Sequence, residues 1–205
     1  MNFFQGDRQA VNFQGDRQAV NNRQRAVRLA RRPLETFLRR AKNELGLEEA
    51  SLTVCLVSDA EIARMNETFR KKKGPTDVLS FPSEKKWRVA SGPDPVGVNE
   101  WREKRRKKKR REGDASRARK SSELNPEAPE KSGGVDGLAA GYLGDIAIAP
   151  STARRYAKKN GRKLGDEIRV LMLHGVLHLM GYDHETDRGE MERVERKLRR
   201  RLGLA

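Results

Sequence analysis

Apolar positions in the first part of the chain follow spacings that predict helices and strands in alternation. From Pro33 to Gly46 they recur at helical intervals, and the glycine marks the end of that helix. Residues 52–57 form a short unbroken apolar run, which is typical of a strand covered on both faces. A second helix, started by a capping box, is expected over residues 58–70, and a strand follows over residues 78–81.

The same two patterns return in the second part of the chain. The sequence YLGDIAIA at 142–149 predicts a strand, residues 151–160 a short basic helix, and residues 166–180 a helix that is apolar on more than one side. A last amphipathic helix follows, up to about Leu202. With one more short strand near residue 21, these elements predict an α+β fold in which helices pack on a small mixed sheet of about four strands.

The N-terminal segment contains a tandem repeat. The nine residues FQGDRQAVN at 4–12 are repeated without change at 13–21. A unit this short, present only twice, does not predict a repeat architecture. We interpret it as a duplicated start of the first strand, in which only the second copy pairs and residues 1–17 form a loose tail.

A long segment between the two patterned parts lacks both spacings. Residues 84–140 are rich in proline, glycine and charge, and they include eight consecutive basic residues from Lys104 to Arg111. This composition predicts a disordered basic insertion. The rest, residues 18–83 and 141–205, is expected to form a single catalytic domain.

Charge indicates the class of partner. The net charge is +16, and the insertion, with 16 basic and 10 acidic residues, supplies +6 of it, so the remaining chain is basic as well. Such a surface favours a polyanion such as nucleic acid. No apolar run is long enough to span a bilayer, no secretory signal is visible, and the single cysteine, Cys55, fits a reducing compartment. We therefore expect a cytoplasmic protein without a membrane partner.

All three histidines lie within eleven residues, in the sequence HGVLHLMGYDH. His174 and His178 are four positions apart, so on a helix their imidazoles project from nearly the same face. Gly181 favours the left-handed conformation that ends a helix, which lets the chain return and bring His184 to the same point. The spacing predicts a metal site with three nitrogen ligands.

The ligand set favours a catalytic zinc site over a structural one. Catalytic zinc usually has three protein ligands and one open position, whereas structural zinc sites are closed by four ligands, often cysteines. A zinc peptidase with an HExxH sequence also needs a glutamate after the first histidine. This chain has Gly175 at that position, which disfavours peptidase activity.

These residues resemble a known family. HGVLHLMGYDH at 174–184 resembles the signature of the YbeY family of metal-dependent endoribonucleases, also called rRNA maturation factors. FRKKKGPTDVLSFP at 69–82 resembles the second marked stretch of the family, and the Gly-Asp-Ile at 144–146 resembles its GDI strand. The resemblance covers roughly residues 18–82 and 141–205.

The resemblance implies both a function and a site. It implies a zincin-like fold and a single-strand-specific endoribonuclease that acts in small-subunit rRNA maturation and ribosome quality control. It implies one zinc ion per chain on His174, His178 and His184, with catalytic roles for His174 and for Arg70, whose planar guanidinium suits a phosphodiester. The expected partners are single-stranded RNA, rRNA, and the ribosome or its small-subunit proteins.

Two other functions remain open at this point. One is another zinc-dependent hydrolase, and the other is a ribosome assembly factor with a structural metal, marked by a fourth ligand such as Asp183 or Asp145. Asp145 itself has two interpretations: it orients a ligand histidine by accepting its second N–H, or it is a satisfied residue of an edge strand. The sequence identifies no general base, and the nucleophile is either water or the RNA 2′-hydroxyl.

Overall fold

The computed structural model describes residues 19–83, 141–185 and 187–204. Its strands are β1 (Val20–Asn22), β2 (Ser51–Leu56), β3 (Val78–Pro82) and β4 (Tyr142–Ile148). Its helices are α1 (Arg31–Glu44), α2 (Asp59–Arg70), α3 (Pro150–Lys159), α4 (Leu164–Leu179) and α5 (Glu190–Leu202). In this part of the chain, no helix combines the length and the apolar character needed to cross a membrane. The tail at 1–17 and the insertion at 84–140 lie outside the described residues.

The four strands form one mixed sheet in the order β1-β2-β4-β3. β1 pairs with β2, and β2 with β4, in parallel, whereas β3 runs antiparallel to β4. The predicted mixed sheet of about four strands packed by helices is therefore confirmed. β4 lies inside the sheet, so Asp145 does not belong to an edge strand.

Helix α1 follows its predicted pattern, although it begins two residues before Pro33. Its regularly spaced apolar residues are buried in the core, and the chain turns at Gly46 with a φ of +63°. In α2, the Ser58 hydroxyl accepts the Glu61 N–H at 3.2 Å, as expected of a capping residue. A capping box has a second hydrogen bond, from the N-cap backbone N–H to the glutamate side chain. The Glu61 carboxylate instead pairs with Arg23 at 3.4 Å, so the structure shows the first of the two predicted hydrogen bonds.

Helix α4 is the buried centre of the fold, as its apolar surface predicts. It contacts β3, β4 and the three helices α1, α3 and α5. Gly175 allows close packing on the sheet, because a Cβ atom at this position would lie 2.8 Å from Cγ2 of Ile146 on β4. Ile146 is fully buried, so α4 is held against the sheet at the level of its histidines.

The described residues on either side of 84–140 lie on neighbouring strands. β3 and β4 are antiparallel neighbours, and the Ser83 N–H donates to the Leu143 carbonyl at 2.9 Å. The Ser51 N–H donates to the Gly141 carbonyl at 3.0 Å. The hydrogen bonds of the sheet therefore extend to Ser83 at the end of β3 and to Gly141 at the start of β4.

Candidate metal centre

The end of α4 brings the three histidines together. The helix ends in a left-handed residue, Gly181, with a φ of +92°. The Gly181 N–H donates to the His178 carbonyl at 2.8 Å, and the Tyr182 N–H to the Leu177 carbonyl at 3.0 Å. This pair of hydrogen bonds is the Schellman motif. It reverses the chain within a few residues, so His184 returns to the face of α4 that carries the other two histidines, as the sequence predicted.

The imidazole nitrogens converge on one point. One ring nitrogen from each of His174, His178 and His184 lies within 4.8 Å of the other two. The Nε2 atoms of His174 and His178 are 3.1 Å apart, and the ring centroids of the three pairs are separated by 4.7, 5.2 and 5.1 Å. Three nitrogen donors at such distances could hold one metal ion.

Hydrogen bonds to Nδ1 fix the orientation of two of the rings. The Nδ1 of His178 donates to the Tyr182 carbonyl at 3.0 Å, because a carbonyl oxygen can only accept. The Nδ1 of His174 lies 3.1 Å from the Glu195 carboxylate, which also accepts. With Nδ1 protonated in both rings, each Nε2 presents a lone pair to the common point, which is the tautomer that a metal ligand requires.

Glu195, on α5, is the orienting carboxylate of this centre. It is 8% exposed and also accepts a hydrogen bond from Arg199 at 2.5 Å. Burial alone raises the pKa of the Glu195 carboxyl, but the hydrogen bond from His174 and the charge of Arg199 hold that pKa below its ordinary value. Glu195 is therefore a carboxylate at neutral pH, and it supports the donor nitrogen of His174.

Asp145 was one candidate for this orienting role, but it has other partners in the structure, so that interpretation is wrong. The Tyr142 hydroxyl donates to Asp145, and Tyr142 also lies 3.1 Å from the Thr53 hydroxyl. Burial raises the pKa of both Asp145 and Tyr142. Asp145 thus belongs to a polar cluster on neighbouring strands. A signal for Glu195 existed in the sequence: it lies four residues after Met191 and three before Leu198, on the apolar face of α5.

The centre is half-buried on the helix side and open at His184. Burial lowers the pKa of His178, and the neighbouring His174 and His184 lower it further, so the neutral ring that can ligate a metal is favoured. His184 is exposed. Within the described residues, the group that could hold a metal consists of the three histidines, without Asp145 or Asp183. Asp183 instead accepts the Glu185 N–H at 3.1 Å.

Arg70 lies next to the segment that carries the third histidine. It is the last residue of α2, and its Nη2 is 2.8 Å from Oε1 of Glu185, the residue after His184. Both side chains are largely exposed, at 40% and 58%, so this ion pair contributes little to stability. The structure therefore brings Arg70 and the histidine segment together through an exchangeable contact.

Three other residues have structural roles. The Asp77 carboxylate accepts the Val78 N–H at 3.0 Å and the Thr76 hydroxyl at 3.2 Å, so these residues fix the loop before β3. Cys55 is fully buried within β2, as expected of a small core residue.

The fold and the site together define a mixed α/β domain with a three-histidine candidate metal centre. The family model described as "Endoribonuclease YbeY" matches residues 12–203 of this chain. The match begins earlier than the resemblance found in the sequence, and its range includes the middle segment.

The chain belongs to the YbeY family. A protein named Endoribonuclease YbeY from Solibacter usitatus is 35% identical over 88% of this chain and 86% of its own length. Its counterpart from Aquifex aeolicus is 32% identical over 80% of this chain and 76% of its own length. A solution structure of a Thermotoga maritima protein covers 90% of this chain and 89% of its own, with a TM-score of 0.45 and 19% identity. The similarity in sequence, which confirms the resemblance, is what establishes the family.

Proposed function

We propose that this protein is a zinc-dependent, single-strand-specific endoribonuclease that acts in the cytoplasm on small-subunit rRNA, in maturation and in ribosome quality control. Its partners would be single-stranded RNA, the ribosome and small-subunit proteins. The observation that carries the proposal is the convergence of three histidine nitrogens, two of them with fixed tautomers, in a member of an endoribonuclease family.

The donor set fits zinc. Three imidazole nitrogens and no thiolate suit a catalytic zinc ion, which usually leaves one coordination position for water or substrate. His174, His178 and His184 would hold the ion. Zinc, when bound, acts as a Lewis acid toward water or a phosphoryl oxygen. The Glu195 carboxylate keeps the Nδ1 proton of His174 in place, so that the opposite nitrogen stays available as a donor.

Arg70 would bind the scissile phosphodiester. Its guanidinium remains charged at all relevant pH values and offers two parallel N–H groups to two phosphate oxygens. Glu185 accepts a hydrogen bond from one of these N–H groups in the structure. Because both side chains are exposed, replacing Glu185 by a phosphate costs little free energy. Arg70 would then neutralise the charge that develops on the phosphate oxygens in the transition state.

Packing around Gly175 argues against the alternative of an HExxH-type peptidase. The general base of such an enzyme follows the first histidine, at the position of Gly175. A Cβ atom here would meet two side-chain atoms of the fully buried Ile146 at 2.8 and 2.9 Å, so even alanine would force that side chain, the sheet or the helix to shift. The zincin-like arrangement implied by the family resemblance is part of our proposal, but with phosphodiester rather than peptide chemistry.

An assembly factor with a structural metal is the second alternative. Such a site is expected to be closed by a fourth protein ligand. The three-histidine group of the described residues has no such ligand, and its His184 side is exposed. Both features favour a site that accepts water or substrate.

Cleavage of a labelled single-stranded RNA tests the proposed activity. Zinc-loaded protein, purified free of contaminating ribonucleases, is compared with the triple variant His174→Ala/His178→Ala/His184→Ala prepared in parallel. We expect endonucleolytic products from the parent alone, and much slower cleavage when the RNA is annealed to its complement. Equal cleavage by parent and triple variant would identify a contaminant and overturn the proposal.

Substitution of Arg70 tests its role separately. Arg70→Lys keeps the charge but loses the planar fork, so we expect a clear fall in the single-turnover rate at saturating RNA, with zinc content unchanged. Arg64→Lys is the matched control, because Arg64 is an exposed arginine on the same helix. Equal rates for Arg70→Lys and the parent would exclude this role for Arg70.

A further inference from the structure

A basic cavity lies away from the histidines, where α1, α4 and α5 meet. Its volume is about 530 Å³, which is within the usual range of ligand pockets, about 300–1,000 Å³. Three arginines contribute to its wall: Arg32 and Arg40 from α1 and Arg169 from α4. Phe37 and Leu202 add apolar surface. The proposed catalytic centre uses none of these residues.

The polar side of the cavity follows from helical spacing. Arg32, Thr36 and Arg40 are four residues apart in succession, so they form one stripe along α1. All three residues line the cavity, so this stripe carries two guanidinium groups and a hydroxyl. The first turn of α1 contains no acidic residue, and no side chain caps it, so the positive end of the helix dipole adds to the same stripe.

The positive charge of the cavity is only partly balanced. Among the described residues that line it, none is acidic. Arg169 pairs with Asp166 at 2.7 Å, whereas Arg32 and Arg40 have no ion pair with any described residue. At the far wall, the Gly203 N–H donates to the Arg200 carbonyl and the Leu204 N–H to the Arg199 carbonyl, and both bonds cap the end of α5. These bonds reduce the negative potential of that helix end, so the cavity suits an anion that also has an apolar part.

The cavity and the metal centre share two helices. On α4, Arg169 precedes His174 by five residues, a rise of about 7.5 Å along the helix axis. On α5, Leu202 follows Glu195 by seven residues, a rise of about 10.5 Å. Because His174 contacts Glu195, the cavity lies further along the contact between these helices. Successive residues turn by about 100°, so Arg169 and His174 also lie about 140° apart around α4, and a polynucleotide strand that reaches both sites would pass around this helix.

We propose that this cavity is a second RNA-binding site, in which Arg32 and Arg40 bind a backbone phosphate of the same strand that is cut at the metal centre, with the attached nucleoside against the apolar wall. The inference rests on the proposed function and adds to it: the enzyme holds its substrate at a distance from the scissile bond. Arginine pairs are suited to phosphate, and a partly apolar wall favours a nucleotide over an inorganic ion.

Equilibrium binding of a fluorescent single-stranded RNA tests the proposal, with the full-length, zinc-loaded protein and variants that remove one or two charges. Arg32→Gln and Arg40→Gln, alone and combined, are compared with Arg39→Gln. Arg39 is the neighbouring exposed arginine on α1 and does not line the cavity, so it controls for net charge. Gel analysis verifies that the strand stays intact during the measurement.

The double variant should bind roughly tenfold more weakly, with Arg39→Gln within about twofold of the parent. Because one phosphate contact is lost, the slope of log affinity against log salt should become shallower by about 0.7. An Arg39→Gln variant as weak as Arg40→Gln, or a double variant equal to the parent, would overturn the proposal. If adenosine monophosphate displaces the RNA at low concentration, the ligand of the cavity is a free nucleotide and the proposal that it binds an RNA strand is wrong.

Binding and cleavage separate this inference from the proposed function. If the parent binds RNA in an Arg40-dependent way but cuts none, the endoribonuclease proposal fails and the cavity remains an RNA site. If the parent cuts RNA and the Arg40 variant binds as tightly as the parent, the cavity proposal fails alone.

Discussion

Replacing Glu195 by glutamine tests how the metal centre is supported. Glutamine has nearly the same shape but no charge, so His174 loses a charge-assisted hydrogen bond at Nδ1 while its own side chain stays in place. Carboxylates that orient ligand histidines typically change metal affinity by about 10–100-fold when removed. Tenfold corresponds to about 1.4 kcal/mol. We expect zinc affinity to fall within this range.

The assay is competition for zinc with a chromophoric chelator, at a pH where Glu195 is ionised. Glu192→Gln is the matched control, because Glu192 lies one turn earlier on α5, is 71% exposed and pairs with Arg196 away from the histidines. Glutamine at 195 also leaves Arg199 with a neutral partner, so urea unfolding of the metal-free proteins measures the stability cost, expected at about 1–3 kcal/mol. Zinc affinity of Glu195→Gln within twofold of the Glu192→Gln value, in a folded protein, would refute the role of Glu195.

Three further predictions concern packing, pH and the insertion. Gly175→Ala should cost about 1–3 kcal/mol in urea unfolding because its Cβ overlaps the sheet, whereas Gly165→Ala, with no atom within 4 Å, should be neutral or slightly stabilising; equal effects would contradict the packing argument. Burial raises the pKa of the Asp145 carboxyl, so this group stabilises the fold below the ordinary aspartate pKa of about 3.9, and the stabilisation is lost as pH rises through the higher pKa of the folded state. The stability of Asp145→Asn relative to the parent should therefore increase as pH rises between these two pKa values. A difference in stability that does not change with pH would refute this prediction. Deletion of residues 86–138 should leave the fold and zinc content intact but flatten the salt dependence of RNA binding, as measured by circular dichroism, elemental analysis and titration; loss of zinc or unfolding would show that the domain boundary is wrong.

The sequence predicted the elements of the core because their signals are local. The apolar run of β2, the capping serine at Ser58 and the left-handed Gly181 each act within a few residues, and each has its predicted role in the structure. The histidine cluster was predictable for the same reason. One helical turn separates His174 from His178, and one chain reversal separates His178 from His184.

Contacts between distant segments could not be derived in this way. Glu195 approaches His174 only because α5 packs against α4, and the sequence indicated Asp145, not Glu195, as a candidate carboxylate. The sequence could not show whether Asp145 lies on an edge strand, because an edge strand and an interior strand of the same length have similar patterns. The strand order of the structure places it on an interior strand. The cavity at Arg40 likewise depends on three helices meeting, so no single stretch of sequence indicates it.

Zinc content and cleavage, measured on the same samples, test whether the three histidines hold the zinc ion on which RNA cleavage depends. The parent and the three single variants His174→Ala, His178→Ala and His184→Ala are purified identically, analysed for metal, and then incubated with single-stranded RNA. We expect one zinc per parent chain with cleavage, and in each variant a zinc content well below one together with lost cleavage. Full zinc occupancy in all three variants, or a parent that cleaves RNA equally well after its metal is removed, would contradict it.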